Sequence, residues 1–197
     1  MKLSDRKKGT LLTFVGIMFI TPDSLLIRLS SVESWNLIFY RGFIPFFVVF
    51  VGLLIIKRNK FFYSIIENGW HGLGYICTFI VTNILFVHSI ENTTVANTLI
   101  MVSLAPMLSA LVSFIFLKEA PDKKTWIAIL ITFAACVYIF YDSLNLGNFL
   151  GDFFGLVTAF GLACNATLAR YAKDRDLVPS AVIGKLCVAI FAFFFVE

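Results

Sequence analysis

Residues 35–56 read WNLIFYRGFIPFFVVFVGLLII, an apolar run with one charge, Arg41, bounded by Glu33 before it and Lys57 and Arg58 after it. At 1.5 Å rise per residue, a helix over roughly 20 such residues crosses the roughly 30 Å of hydrocarbon in a bilayer. Comparable runs lie on either side, at about 10–30, 70–90, 94–117, 124–141 and 149–171, and a seventh starts near Pro179. Hydrophobic residues make up 59% of the 197 positions and charged residues 14%, against about half and about a quarter in soluble domains. No water-soluble core absorbs that excess, so lipid must solvate most of the surface. The fold expected is an all-α integral membrane protein, a polytopic helix bundle with six or seven transmembrane helices.

Charge placement orients the bundle. The net charge is +4, and the basic residues are segregated. The N-terminal tail holds four Lys and Arg, and residues 57–68, 118–124 and 170–175 hold three each, whereas 29–34, 91–93 and 142–148 hold none. Basic loops stay in the cytoplasm, so the N-terminus is expected inside, in the cell (inner) membrane. The 23 Phe residues fall within the apolar runs and are not interleaved with basic ones, which gives no nucleic-acid pattern. Cys77, Cys136, Cys164 and Cys187 also lie in apolar runs without CxxC spacing, and read as small buried hydrophobes.

A shift of 142 residues places Gly9 on Gly151, Asp23 on Asn165, Leu26 on Leu168, Arg28 on Arg170 and Gly42 on Gly184. Five helices fit in that interval. Because five is odd, a second copy enters the membrane inverted, as in many secondary transporters. Residues 1–141 are then a first five-helix repeat and 148–197 the start of a second, which needs roughly 90 further residues to reach ten helices. The expectation is therefore a part of a longer ten-helix protein, inactive in transport without the rest.

Trp35–Gly42 (WNLIFYRG), Asn83–Glu91 (NILFVHSIE), Thr94–Pro106 (TVANTLIMVSLAP), Phe116–Glu119 (FLKE) and Trp126–Val137 (WIAILITFAACV) give the chain a resemblance to the drug/metabolite transporter superfamily, of the EamA-like permease type. The likeness covers helices 1–5 well and helices 6 and 7 loosely. It departs in helix 1, where Thr21-Pro22-Asp23 replaces the aromatic and small residues usual there. The resemblance implies ten helices in two repeats around a central cavity open alternately to each side.

Ionisable groups inside a bilayer are costly and usually face a polar interior. Asp23 falls roughly 5 Å outward of the midplane and Arg41 roughly 7 Å, so a pair in neighbouring helices is geometrically reasonable. It would serve structure or meet an anionic solute. Pro22 frees the carbonyl of Met18, which suits either a substrate-facing break or a plain kink with Asp23 capping the outer half-helix. Tyr40, Asn83, Asn97 and Asn165 are candidate cavity-lining groups, with interhelical hydrogen bonding as the competing role. Pro106 frees the carbonyl of Val102 and reads as a hinge or kink. Lys185 lies near the repeat equivalent of Arg41 as an inner-side counterpart.

No HExxH, GxSxG, phosphate-binding glycine loop or CxxC occurs, so no catalytic residue, metal or cofactor is expected. The function expected is a permease moving a small metabolite or drug by alternating access, coupled to a proton or to exchange. The partners are a small-molecule substrate and the lipid bilayer, and the reading allows for a homodimer. The alternatives are a membrane enzyme, for which the basic loops are too short to build a site, and a non-transporting scaffold or accessory subunit. The topology is checked by reporter fusions: those at Asn59 and Lys123 should report the cytoplasm and those at Asn92 and Asn145 the outside. An outside signal at Lys123 would overturn it.

Overall fold

The computed structural model describes residues 5–20, 22–57, 60–118, 120–146 and 149–196. The described residues form α1 (Asp5–Ile20), α2 (Asp23–Leu29), α3 (Ser34–Lys57), α4 (Lys60–Asn92), α5 (Val95–Val102), α6 (Ala105–Leu117), α7 (Lys123–Leu146), α8 (Phe149–Tyr171) and α9 (Val178–Phe193). They divide into an N-terminal unit, Met1–Ser31, and a larger unit, Val32–Glu197. In the first, α1 ends at Ile20 and α2 begins after Pro22, whose carbonyl accepts from the Leu26 N–H at 2.9 Å.

Among the described residues, four segments of the larger unit are long and apolar enough to cross a membrane: Ser34–Ile56, Tyr63–Asn92, Val95–Leu117 and Phe149–Tyr171. The apolar helix α9 is shorter, at 16 residues. Burial separates their roles. Only 11% of the best window of α3 is buried inside the protein, against 44% for α8. Phe43, Phe47, Val48, Ile55 and Ile56 on α3 are exposed in the bare chain, an outward apolar face suited to lipid.

The helix α8 is at the centre because it is narrow. Its buried positions include Gly151, Gly155, Ala159, Gly161 and Ala163. Apolar side chains gain little by leaving lipid for one another, so helices in a membrane associate where small residues let backbones touch. A Cβ on Gly151 would stand 2.5 Å from the Asn92 carbonyl carbon, at the end of α4. α8 packs against α4, α5, α6 and α7, and α9 packs against α3 and α4. α4 is thus shared by both groups. It runs antiparallel to α8, pairing His71 with Tyr171, Thr78 with Asn165 and Ser89 with Gly151. α3 and α9 are also antiparallel, with Trp35 stacked on Phe195 and Gly42 against Lys185 and Ala189.

Hydroxyl groups line the α8 seams. The Ser89 hydroxyl donates to the Gly151 carbonyl at 2.8 Å and lies 2.8 Å from the Thr98 hydroxyl, while Thr78 donates to Asn165 Oδ1. Each interhelical hydrogen bond of this kind is worth about 0.6 kcal/mol on average in a membrane protein.

Several expectations are corrected. The loop expected at residues 57–68 is helical from Lys60 onward, and the bend occurs at Gly69, whose φ of 46° and ψ of −130° suit glycine alone. The run at 94–117 is two helices: Thr94 caps α5, its hydroxyl accepting from the Asn97 N–H at 3.1 Å, and α6 starts at Ala105-Pro106 after a turn at Ser103–Leu104. The cysteines are not fully buried, although Cys136 packs against the core cluster of Met101, Leu104 and Ala159. Cys77 is exposed and the other three are partly so, because apolar runs in lipid need no protein to cover them. Outside the spans, Asp122 caps α7 by accepting from the Thr125 N–H at 2.9 Å and from its hydroxyl, and these bonds hold its carboxyl below the usual range.

If the narrowness of α8 holds the unit together, Gly151→Leu should lose about 1–3 kcal/mol of stability by overpacking. Gly52→Leu is the control, since nothing lies within 4 Å of a Cβ there. Unfolding of the purified protein in detergent would measure both, and equal effects would refute the account.

Candidate functional site

Phe79, Asn83 and Phe86 are spaced i, i+4, i+7 and so share one face of α4. Two cations reach that face from different helices. Lys185 of α9 donates from Nζ to Asn83 Oδ1 at 2.7 Å, with its ammonium 5.3 Å from the Phe79 ring centre. Arg41 of α3 places its guanidinium carbon 5.5 Å from the Phe86 ring centre. Asn83 is aimed by its own helix, because its Nδ2 donates to the Phe79 carbonyl at 2.8 Å and leaves Oδ1 directed at the lysine. Arg41, Asn83 and Lys185 are all half-buried.

Gly42, next to Arg41, allows the approach. A Cβ there would lie 2.8 Å from the Ala189 nitrogen and 2.9 Å from the Lys185 carbonyl oxygen, so only glycine lets α3 seat on α9. Gly184, which the 142-residue shift equates with Gly42, is tight as well: its Cβ would stand 2.9 Å from the Phe79 ring. Pro45 follows Arg41 by one helical turn and lacks the N–H that would bond the Arg41 carbonyl. It borders two cavities, one of about 400 Å³ lined by Tyr40, Arg41 and Ile44, the other of about 180 Å³ lined by Phe79, Val182 and Lys185. Aromatic faces and an amide stabilise a cation without cancelling its charge, so neither contact described here removes the positive charge of Arg41 or Lys185.

A third cavity, of about 460 Å³, lies on another side of α4, between it, α6 and α8. It is mostly apolar, with Thr78 and Thr167 among its lining groups and the stacked rings of His71 and Tyr171 bordering it. At the Trp35 end of the bundle, Ser34 donates to Glu91, His88 Nδ1 lies 3.6 Å from Glu91 Oε2, and Trp35 meets both His88 and Phe195.

The EamA-like transporter family profile matches residues 8–141. The chain belongs to the EamA-like transporter family. This transporter is therefore of the drug/metabolite transporter superfamily, a multi-pass membrane protein whose family moves small molecules through the bilayer. No curated protein and no solved structure matches the chain.

The residues singled out from the sequence fall in different places of this transporter. Arg41 and Asn83 meet the same face of α4, and the exposed Tyr40 lines the Arg41 cavity. Asn165 is instead buried on the other side of α4, where Oδ1 accepts from Thr78. Asn97 is also elsewhere, its Nδ2 3.4 Å from Oδ2 of the fully buried Asp152. Pro106 is the second residue of α6. Asp23 and Pro22 are at the start of α2, which belongs to the N-terminal unit.

Sequence reasoning passed over Pro45, Phe79, Phe86 and Asp152. Pro45 had a readable signal, since it follows Arg41 by the four residues that make it strip that carbonyl. Asp152 is a lone carboxylate in the run FLGDFFG. The two phenylalanines carry no signal among 23 of their kind.

The bond between α9 and α4 makes a testable pair. Asn83→Leu should cost about 1–2 kcal/mol by leaving the lysine without its acceptor, and Lys185→Leu added to it should recover much of that loss. A double-mutant cycle on detergent unfolding would check this, and strictly additive losses would show that the bond is inconsequential.

Proposed function

We propose that this transporter moves a small metabolite or drug by alternating access, along a path that touches Arg41, Asn83 and Lys185. The observation that carries the reading is the convergence of two cations from α3 and α9 on one face of α4, inside apolar helices. A charge at the centre of a spanning helix costs about 2.5–3.5 kcal/mol on insertion scales. Two such residues and a pair of adjoining cavities are a poor design for a passive bundle and a useful one for a solute path.

The N-terminus is proposed in the cytoplasm and the protein in the cell (inner) membrane, on the strength of the basic loops. Coupling is to a proton or to exchange. Asp23, an acidic group within the first apolar run, is the proposed proton carrier, and Tyr40, Asn97 and Asn165 remain proposed lining groups. Pro22 and Pro106 are the proposed hinges. In this reading Pro45 loosens the backbone beside Arg41, so the wall can change shape without breaking a helical hydrogen bond.

The test uses the full gene product in proteoliposomes, incubated with a mixed extract of small metabolites and read by mass spectrometry. At least one solute should accumulate above protein-free vesicles, and its uptake should speed up when the vesicles are preloaded with it. Asn83→Leu protein at equal folded abundance should lose about tenfold or more of that rate, the scale of one misplaced binding group. Failure of the folded wild-type protein to move any solute would defeat the proposal.

A further inference from the structure

We propose that His88 and Glu91 form a proton-binding site that clasps the tip of α3 to the ends of α4, α8 and α9, so that acid closes this end of the bundle and alkali loosens it. The site uses none of Arg41, Asn83 and Lys185, and the inference holds whichever solute the protein moves.

The clasp is built on two side chains one helical turn apart near the end of α4. His88 Nδ1 lies 3.6 Å from Glu91 Oε2, and the same oxygen accepts from the hydroxyl of Ser34, the first residue of α3. The His88 ring meets the Trp35 ring of α3 in a T shape, with centroids 5.1 Å apart, and its centroid lies 6.4 Å from that of Phe154 on α8. Trp35 in turn stacks on Phe195 at 4.6 Å and tilts against Phe191 of α9. One imidazole therefore meets α3 and α8 directly, and α9 through a single indole.

An imidazole is the side chain whose ordinary pKa, about 6.5, falls within the physiological range. Protonation acts on both contacts in the same direction. It turns the approach of His88 to Glu91 into an ion pair, and it sets a cation beside an indole, the best aromatic partner for one. The stabilisation is present on the acid side of the imidazole range and is lost as pH rises through it. The side chains of His88 and Glu91 keep 22% and 31% of their exposure, so water reaches the pair.

The other charged groups on these elements are engaged elsewhere. Glu33, just before α3, accepts from Asn36 at 3.4 Å, and the fully buried Asp152 of α8 lies 3.4 Å from Asn97 Nδ2. Arg41 lies over Phe86 and Lys185 bonds to Asn83. Lys57, Lys60, Glu67 and Arg170 belong to the opposite ends of α3, α4 and α8. Pro45 deprives the Arg41 carbonyl of its helical N–H, which softens α3 roughly 16 Å from Ser34. Trp35 joins this arm to Phe195 and Gly42 seats it on α9, so the two helix ends move together. His88 and Glu91 decide whether those ends stay on α4.

The test places spin labels at Val32→Cys and Phe149→Cys, two exposed positions beside α3 and on α8. The full gene product, with its native cysteines replaced by alanine, is held in phosphatidylcholine nanodiscs. Electron resonance measures the distance between labels at about pH 5.5 and about pH 8, on either side of an ordinary imidazole. The short distance should dominate in acid, and its ratio to the long one should fall about fourfold or more in alkali, as an ion pair and a cation–aromatic contact are lost. His88→Gln should abolish the change. Glu91→Gln keeps an acceptor for Ser34 without the charge, and should lower the ratio in acid about two- to fivefold, the contribution of a part-exposed pair.

A distance distribution that is the same at both pH values overturns the proposal. So does a change that persists in His88→Gln, which would assign the response to another group such as Asp152 or Glu33. His88→Phe, which keeps a ring between Trp35 and Phe154, takes the place of His88→Gln if that variant fails to fold. If the cysteine-free protein fails to fold, fluorine resonance of 5-fluorotryptophan at Trp35 in the unaltered chain decides, assigned by its loss in Trp35→Phe. Two Trp35 signals whose ratio follows pH support the clasp, and a single signal constant across the range overturns it.

Discussion

Backbone contact at α8 is the constraint on which the rest of the larger unit depends. Gly151 lies so close to Asn92 and Thr93 that any side chain would collide with main chain. In lipid this contact cannot be traded for looser hydrophobic packing, because apolar side chains are as well solvated by acyl chains as by each other. Close approach and a few hydroxyl bonds are what remains, and α8 supplies both with its glycines and alanines and with the Thr78–Asn165 and Ser89–Gly151 bonds. Once α8 is seated, the antiparallel α4 is fixed beside it, and α4 presents its other face to α3 and α9.

That division of α4 gives the molecule its two kinds of interior surface. Residues 71, 74 and 78 border the larger, mostly apolar cavity with α6 and α8. Residues 79, 83 and 86 receive Lys185 and Arg41. The change from one to the other takes one residue, a rotation of 100° on a 3.6-residue turn. Gly42 completes the second surface by letting α3 rest on the backbone of α9. The unit thus has a seam of close backbone contact on one side of α4 and two basic side chains on the other.

Much of this was legible in the residue order. Apolar runs of membrane length located the helices, and the lone charge of Arg41 within such a run set it apart as a candidate. Asn83 was legible as a polar group in a run but not as the acceptor for Lys185, because 102 residues separate the two. Asn165 had the same signal, and its Oδ1 accepts from Thr78 on the α8 seam. Hydropathy could not distinguish these outcomes, since an amide costs the same to bury whether its partner is structural or a solute. The cysteines were misjudged for a related reason: in an apolar run, burial by lipid and burial by protein leave the same trace in the sequence.

By itself, then, the sequence determined that the chain is a helical membrane protein of the EamA-like family, because run length, hydropathy and motif order are local properties that survive without coordinates. It also singled out Arg41, since a charge among apolar neighbours stands out wherever the helix packs. Only the tertiary structure decided that Lys185 joins it, that Asn83 and two phenylalanines form their common wall, and that Pro45 lies between two cavities. These depend on the rotation and height of one helix against another. Glycine contacts at Gly42, Gly151 and Gly184 set those quantities, and a glycine shows nothing in the sequence of what it will touch.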